Sequence, residues 1–199
     1  MNNLISPTFS NDQYFILNKK TLGSSLSEIE RLVNSVNTDD VAFEKAWIPE
    51  DQITGEIKKL DVLTFEKVNR CFEYNFKQII EKETRLQELE LLAVRRNILH
   101  ANDYVSMHKD YEGYVVIIDI PETDYPEEND GGNTEGFTVE FKRSFEGGKI
   151  LFTKDNGEVV EIELQRDEVL VAKCTNKHGV SKVLSGKRES IALFSRPKI

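Results

Sequence analysis

Four residues in the C-terminal half of this 199-residue chain have types and spacing suited to one kind of chemistry. His108-x-Asp110 is followed much later by His178, and Arg188 comes ten residues after that. Two imidazoles and one carboxylate form the donor set that holds a non-heme Fe(II) ion by one face and leaves the other face open. A guanidinium grips a carboxylate with two parallel hydrogen bonds, so Arg188 suits a dicarboxylate ligand. The chain has three histidines, and this set uses two of them. On a strand, His-x-Asp sends both side chains to one face, so one short segment supplies two ligands at about 2 Å from one ion. Alone, such a pair is a weak motif and is more often a surface hydrogen bond. His178 and Arg188 are what make it a set. The third histidine, His100, is read as an ordinary polar side chain.

Such residues converge only if distant segments are held together, and the chain carries signals for elements that would do so. Tyr14 to Leu17 is a short apolar run suited to a strand laid against a later sheet. Ser25 with Glu28 three residues on is a capping-box signal, and it opens a helix carrying Leu26, Ile29, Leu32, Val33 and Val36 on one side. The region of Trp47, Pro49 and Gly55 breaks the pattern and reads as a loop. A second helix is expected from about Thr64, with Phe65, Val68, Phe72, Phe76, Ile79 and Leu86 at helical spacing, packed on the outside of a sheet. From Ile98 the texture becomes β-rich. Val115–Ile118, Phe137–Phe141, Ile150–Phe152, Val159–Leu164, Val169–Ala172 and Ile191–Phe194 are short apolar or alternating runs. Asn156-Gly157 between two of them is a hairpin signal. Seven or eight short strands with turns between them predict an antiparallel double-sheet jelly roll of the cupin type, in an α+β chain whose N-terminal helices cover the outer sheet face. Glu122 to Gly136 is the one long polar loop, expected as a solvated surface loop or a lid. The division expected is residues 1–97 as a strand and helical support region and 98–199 as the catalytic core, within a single domain.

Composition limits the function classes. The hydrophobic and charged fractions of 39% and 31% are those of a soluble globular chain. A net charge of −9 argues against duplex nucleic acid as a partner. No apolar run approaches the roughly 20 residues that span a bilayer, and the first residues lack a basic start followed by an apolar stretch, so neither a membrane nor a secretory signal is expected. Cys71 and Cys174 are far apart with no C-x-x-C, which reads as free thiols in a reducing compartment and places the protein in the cytoplasm.

The stretch His178-Gly179-Val180-Ser181-Lys182-Val183-Leu184-Ser185-Gly186-Lys187-Arg188-Glu189-Ser190 resembles the H-x-V-x-x-V-x-x-G-x-R-x-S segment of Fe(II)/2-oxoglutarate-dependent dioxygenases, nearest to the prolyl-hydroxylase-like branch. Upstream, Gly147-Gly148-Lys149-Ile150-Leu151-Phe152 resembles that branch's G-G-x-L-x-F element. Arg166-Asp167-Glu168-Val169-Leu170-Val171 resembles the strand before the distal histidine, with Asp167-Glu168 where the family usually has Gly-Asp. The resemblance covers roughly residues 98–196. It implies a double-stranded β-helix in which His108, Asp110 and His178 bind Fe(II). Arg188 would pair with the distal carboxylate of 2-oxoglutarate, Ser190 would donate a hydrogen bond to it, and Tyr104 would be a further hydroxyl donor. The reaction implied is hydroxylation of an unactivated C–H bond with O2, releasing succinate and CO2. The substrate would be an amino acid, a peptidyl residue or another small metabolite. Asp110 speaks against halogenation, which replaces this carboxylate by a small residue. The competing expectation is a non-catalytic cupin-like metal- or ligand-binding module; such a module would be expected to lose at least one of the four residues.

Overall fold

The computed structural model describes residues 13–35, 54–84, 88–110, 113–120 and 144–198. Two antiparallel sheets face each other. The larger runs in the order β1 (Tyr14–Asn18), β9 (Glu168–Lys173), β5 (Tyr114–Ile120), β11 (Val183–Pro197), β3 (Leu89–His100), β2 (Glu56–Lys59), with β6 (Phe145–Gly147) also paired to β11. The smaller runs β4 (Val105–His108), β10 (His178–Val180), β7 (Ile150–Thr153), β8 (Val159–Ile162). This is the jelly roll, or double-stranded β-helix.

Strand alternation divides the larger sheet's side chains between two cores. Val116, Ile118, Val169, Val171, Ile191 and Leu193 point outward. They pack against Leu22, Leu26, Ile29 and Val33 of helix α1 (Lys19–Asn34), Val68 of α2 (Val62–Cys71), and Phe72, Phe76 and Ile80 beyond it. Val115, Leu170, Ala172 and Ala192 point inward and meet Ile150, Phe152 and Ile162 of the smaller sheet. Central strands such as VVII and VLVA read as unbroken apolar runs because both faces are covered.

The helices form where the apolar stripe has polar ends to start them. Asn18 caps α1 by accepting from Lys20 N–H at 2.9 Å, and Asp61 caps α2 by accepting from Thr64 N–H at 2.9 Å. Helix α1 therefore begins at Lys19, ahead of the Ser25 start expected from the capping box. The two are reconciled at Gly23, whose backbone (φ 58°, ψ −150°) breaks the helix before Ser25. Leu26, Ile29, Leu32 and Val33 are buried as expected. Val36, Trp47, Pro49 and Leu86 lie outside the described residues. Between α2 and α3 (Lys77–Thr84), residues Phe72–Phe76 form a π-helical turn. The extra residue it inserts shifts the buried position by one, so Ile80 is fully buried and the expected Ile79 only partly.

Three strand expectations are corrected. The segment after Gly55, read as loop, is β2, a polar edge strand whose pairing with β3 sequence pattern does not show. The β-rich part starts at Leu89 rather than Ile98, and β3 runs twelve residues against β11. Asp110 is not on the strand that carries His108, because β4 ends at His108. The Asn156-Gly157 hairpin joins β7 and β8 as expected. Its turn is closed by Lys154 N–H donating to Glu158 C=O at 2.8 Å. Phe137–Phe141 and the Glu122–Gly136 loop lie outside the described residues. Among the described residues, no helix is long and apolar enough to cross a membrane.

On β11, the carboxylate of Glu189 joins two strands. It accepts from Arg96 Nε of β3 at 3.0 Å and pairs with Lys187 Nζ at 2.7 Å. Burial pushes its pKa up, but Lys187 and Arg96 outweigh that and hold it below the ordinary value of 4.5. A depressed carboxylate contributes stability that is complete above its unfolded pKa and lost as pH falls through its folded one. Glu189→Gln is therefore expected to lower stability at pH 7 by about 1–3 kcal/mol, a melting shift of a few degrees. The gap between variant and parent should shrink below pH 4.5 in a melting series against pH.

Candidate metal centre and its cavity

The smaller sheet brings the histidines together by its register. Strand β10 lies between β4 and β7, and its first residue His178 stands opposite both His108 and Phe152. The two imidazole rings are 4.5 Å apart between centroids. Gly179 makes the approach possible, because a Cβ there would lie 2.6 Å from the carbonyl oxygen of Val105 on β4. Asp110 reaches the same point from the loop past β4. Its N–H donates to the carbonyl of Cys174 at 3.1 Å, which ties that loop to the end of β9.

The hydrogen bonds orient these rings for donating electron pairs. His108 Nδ1 lies 2.8 Å from the carbonyl of Ser106, and His178 Nδ1 lies 2.9 Å from that of Asn176, each two residues back in its own chain. A carbonyl only accepts, so each Nδ1 carries a proton, and Nε2 is the ring nitrogen left to ligate a metal. Both Nε2 atoms face one carboxylate. His108 Nε2 is 3.7 Å from Asp110 Oδ1, and His178 Nε2 is 3.3 Å from Asp110 Oδ2. Asp110 Oδ2 is buried and has no hydrogen-bond partner among the described residues. One donor atom from each of the three residues falls within 4.8 Å of the others. Burial lowers the pKa of His108, opposed by the Ser106 carbonyl and aided by His178. Burial would raise that of Asp110, but His178 beside it, and then the charges of His108 and Arg95, hold it below the ordinary carboxylate range. A His108 imidazole biased toward the neutral form and an Asp110 carboxylate biased toward the charged form are in the protonation states that ligate a divalent metal.

These three line one cavity with Arg188, Arg95, Asn97, Val105, Ile117 and Phe194 among others. Arg188 is 2% exposed. Its Nη2 contacts Asp119 Oδ1 at 2.5 Å, its Nη1 donates to Ser190 Oγ at 3.4 Å, and its Nε is buried without a partner. Gly148 (φ 59°) gives the arginine stem its space, since a Cβ there would lie 2.9 Å from Arg188 Cδ. The structure thus brings His108, Asp110, His178, Arg188 and Ser190 to one region. It does not bring Tyr104 there. Tyr104 sits in the turn before β4, with its backbone bound to Thr54, and the next residue, Val105, lines the cavity instead. His100 ends β3 on the surface, 3.6 Å from Glu56. Cys174, behind Asp110, has its thiol pKa pushed up by burial and by that carboxylate, so it is an inert thiol. Sequence reasoning missed Arg95, Asn97 and Asp119. Their signal is a polar residue within an apolar strand: Arg95 and Asn97 in VRRNIL, and Asp119 closing VVIID.

No protein-family model and no curated protein sequence matches the chain. Solved structures do. An oxidoreductase of the 2OG-Fe(II) oxygenase family from Burkholderia pseudomallei superposes with a TM-score of 0.64 at 13% identity, covering 92% of this chain and 85% of that one. The viral collagen prolyl hydroxylase of Paramecium Bursaria Chlorella virus-1, in its 2OG complex, gives 0.60 at 13%, covering 96% and 99%. A prolyl hydroxylase from Trichoplax adhaerens, bound to a hypoxia inducible factor oxygen degradation domain peptide fragment, gives 0.61 at 15%, covering 98% and 88%. At these identities the likeness is one of architecture. The chain has the double-stranded β-helix fold that 2OG-Fe(II) oxygenases, prolyl hydroxylases among them, also have.

Proposed function

We propose that the protein is an Fe(II)- and 2-oxoglutarate-dependent dioxygenase that hydroxylates an unactivated C–H bond of a small-molecule or peptidyl substrate, releasing succinate and CO2. The observation that carries this is the orphaned Asp110 Oδ2 facing the Nε2 atoms of His108 and His178 inside a cavity that also holds Arg188. A buried carboxylate oxygen without a hydrogen bond costs about 1–3 kcal/mol unless something fills the gap, and a divalent cation does so. The donor set and its backbone-anchored imidazoles fit iron of the two-histidine, one-carboxylate type.

His108, Asp110 and His178 would hold the metal, and Ser106 and Asn176 would keep the two rings from rotating away. When bound, Fe(II) supplies the activation of O2 that drives oxidation of the C–H bond. The chain's own part is positioning. Arg188 would take the distal carboxylate of 2-oxoglutarate with the donors that Asp119 leaves over, helped by Ser190. Val105, Ile117 and Phe194 line the cavity and would exclude water from it. The alternative, a cupin-like module without catalysis, leaves unexplained why a buried arginine faces the metal set. With both cysteines free, we place the protein in a reducing compartment, the cytoplasm.

Anaerobic titration tests the reading. Wild type is expected to take up one Fe(II), and adding 2-oxoglutarate should raise the weak visible charge-transfer band of the chelate. His178→Ala or Asp110→Ala should abolish both uptake and band while the melting profile stays cooperative. Full turnover in His178→Ala would contradict the ligand assignment. The planar fork of Arg188 is the second test. Arg188→Ala should raise the 2-oxoglutarate requirement on the order of 30- to 150-fold, the equivalent of about 2–3 kcal/mol, with Arg188→Lys between it and wild type. Fe(II) affinity should be unchanged in both, as read by the same titration.

A further inference from the structure

We infer that Arg95 anchors an anionic group of the substrate, so that the cavity serves a small molecule carrying a carboxylate or phosphate. This rests on the reading of the cavity as an iron and 2-oxoglutarate site. It concerns what the second cation of that cavity is for.

The inner face of the larger sheet carries the argument. In the ladder of β11 with β3, Arg188 stands opposite Leu99 and Ala192 opposite Arg95. Arg95 is thus four residues along β3 from Arg188's partner, about 13 Å of strand, with its side chain on the same face. Both arginines line the cavity that holds His108, Asp110 and His178. The cavity therefore has a cation toward each end and the metal set facing it. Arg188 serves one end. Arg95 has no assigned work.

Its surroundings show a cation without an anion. The guanidinium carbon lies 4.8 Å above the ring centroid of Phe194, which fixes one face by a cation–π contact and leaves the edge donors available. Its Nε is buried without a hydrogen-bond partner. Arg31, Arg96, Arg188 and Arg196 each hold a carboxylate. Among the described residues, Arg95 holds none, in a chain of net charge −9. Ile57, Leu99, Val115, Ile117, Ala192 and Phe194 make the nearby wall apolar. A partly desolvated cation in such a wall costs free energy that a bound anion returns.

Support of the metal ligand Asp110 is the competing role. No nitrogen of Arg95 comes within ion-pair distance of Asp110, although its charge is felt there. A divalent metal at Asp110 would repel a guanidinium, which further favours an anion from outside. A carboxylate or phosphate meets the planar fork two-pronged, and a neutral substrate group does not.

The experiment uses protein loaded anaerobically with Fe(II) and saturating 2-oxoglutarate. The probes are acetate, benzoate and inorganic phosphate, with acetamide and benzamide as neutral controls, all at constant ionic strength. At least one anion should shift the chelate band saturably without abolishing it, and neither amide should. Arg95→Met keeps the stem on Phe194 and removes the charge. It should weaken that anion about 10- to 100-fold while leaving Fe(II) and 2-oxoglutarate affinity unchanged, and Arg95→Lys should lie between. Acid and amide acting alike, no anion acting on wild type, or Arg95→Met losing Fe(II) instead of the anion would each overturn the inference. If wild type forms no chelate band at all, it is the iron and 2-oxoglutarate reading that fails. The anion's effect on the melting temperature of wild type and Arg95→Met then decides the role of Arg95 separately.

Discussion

Everything at this site depends on one short strand. Strand β10 is three residues long, and it sets His178 opposite His108 of β4 on one edge and Phe152 of β7 on the other. Two imidazoles meet this closely only if the backbones carrying them are adjacent, and Gly179 allows that by presenting no side chain to β4. The carbonyls two residues before each histidine then complete the geometry. They consume Nδ1 and leave Nε2 as the only site for a ligand. The rings are oriented by their own backbone rather than by remote side chains, so their orientation follows from folding of the smaller sheet alone.

The larger sheet supplies charge in a different way. Its outer face packs an apolar core against α1, α2 and α3. Its inner face places two arginines within an apolar lining. Arg188 is buried with Asp119 and Ser190 as partners, so a neutralising carboxylate is part of the fold. Arg95 rests on an aromatic ring instead. An acidic protein thus keeps two guanidinium groups at its cavity, one paired with Asp119 and the other without a carboxylate among the described residues.

The readable part of the sequence was the part in which local pattern and tertiary role agree. The β-branched strands 115–118, 169–172 and 191–194, the Asn156-Gly157 turn and the α1 stripe all announced themselves. The segment 178–190 carried residues whose identities are demanded at fixed offsets. What failed was decided by partners. Strand β2 is polar and becomes a strand only because β3 offers a free edge. The first half of β3, LELLAVRRN, alternates imperfectly because a bulge opposite Phe194 and Ser195 shifts its phase. Ile79 yielded its place to Ile80 through a π turn that leaves no mark in the spacing. Tyr104 matches by type alone; it precedes β4, and the next residue, Val105, lines the cavity. Asp119 and Arg95 were hidden for the same reason: a charge inside a strand shows its purpose only when the opposing face is known.

The central claim is that His108, Asp110 and His178 form a three-residue iron site with open positions. X-ray absorption on the anaerobic Fe(II) protein, before and after 2-oxoglutarate, tests it most directly. The account predicts two imidazole nitrogens in a shell of nitrogen and oxygen donors at about 2 Å, with the imidazole count unchanged and oxygen donors exchanged when 2-oxoglutarate is added. A site with no imidazole scattering, or one in which 2-oxoglutarate leaves the iron shell untouched, would contradict it.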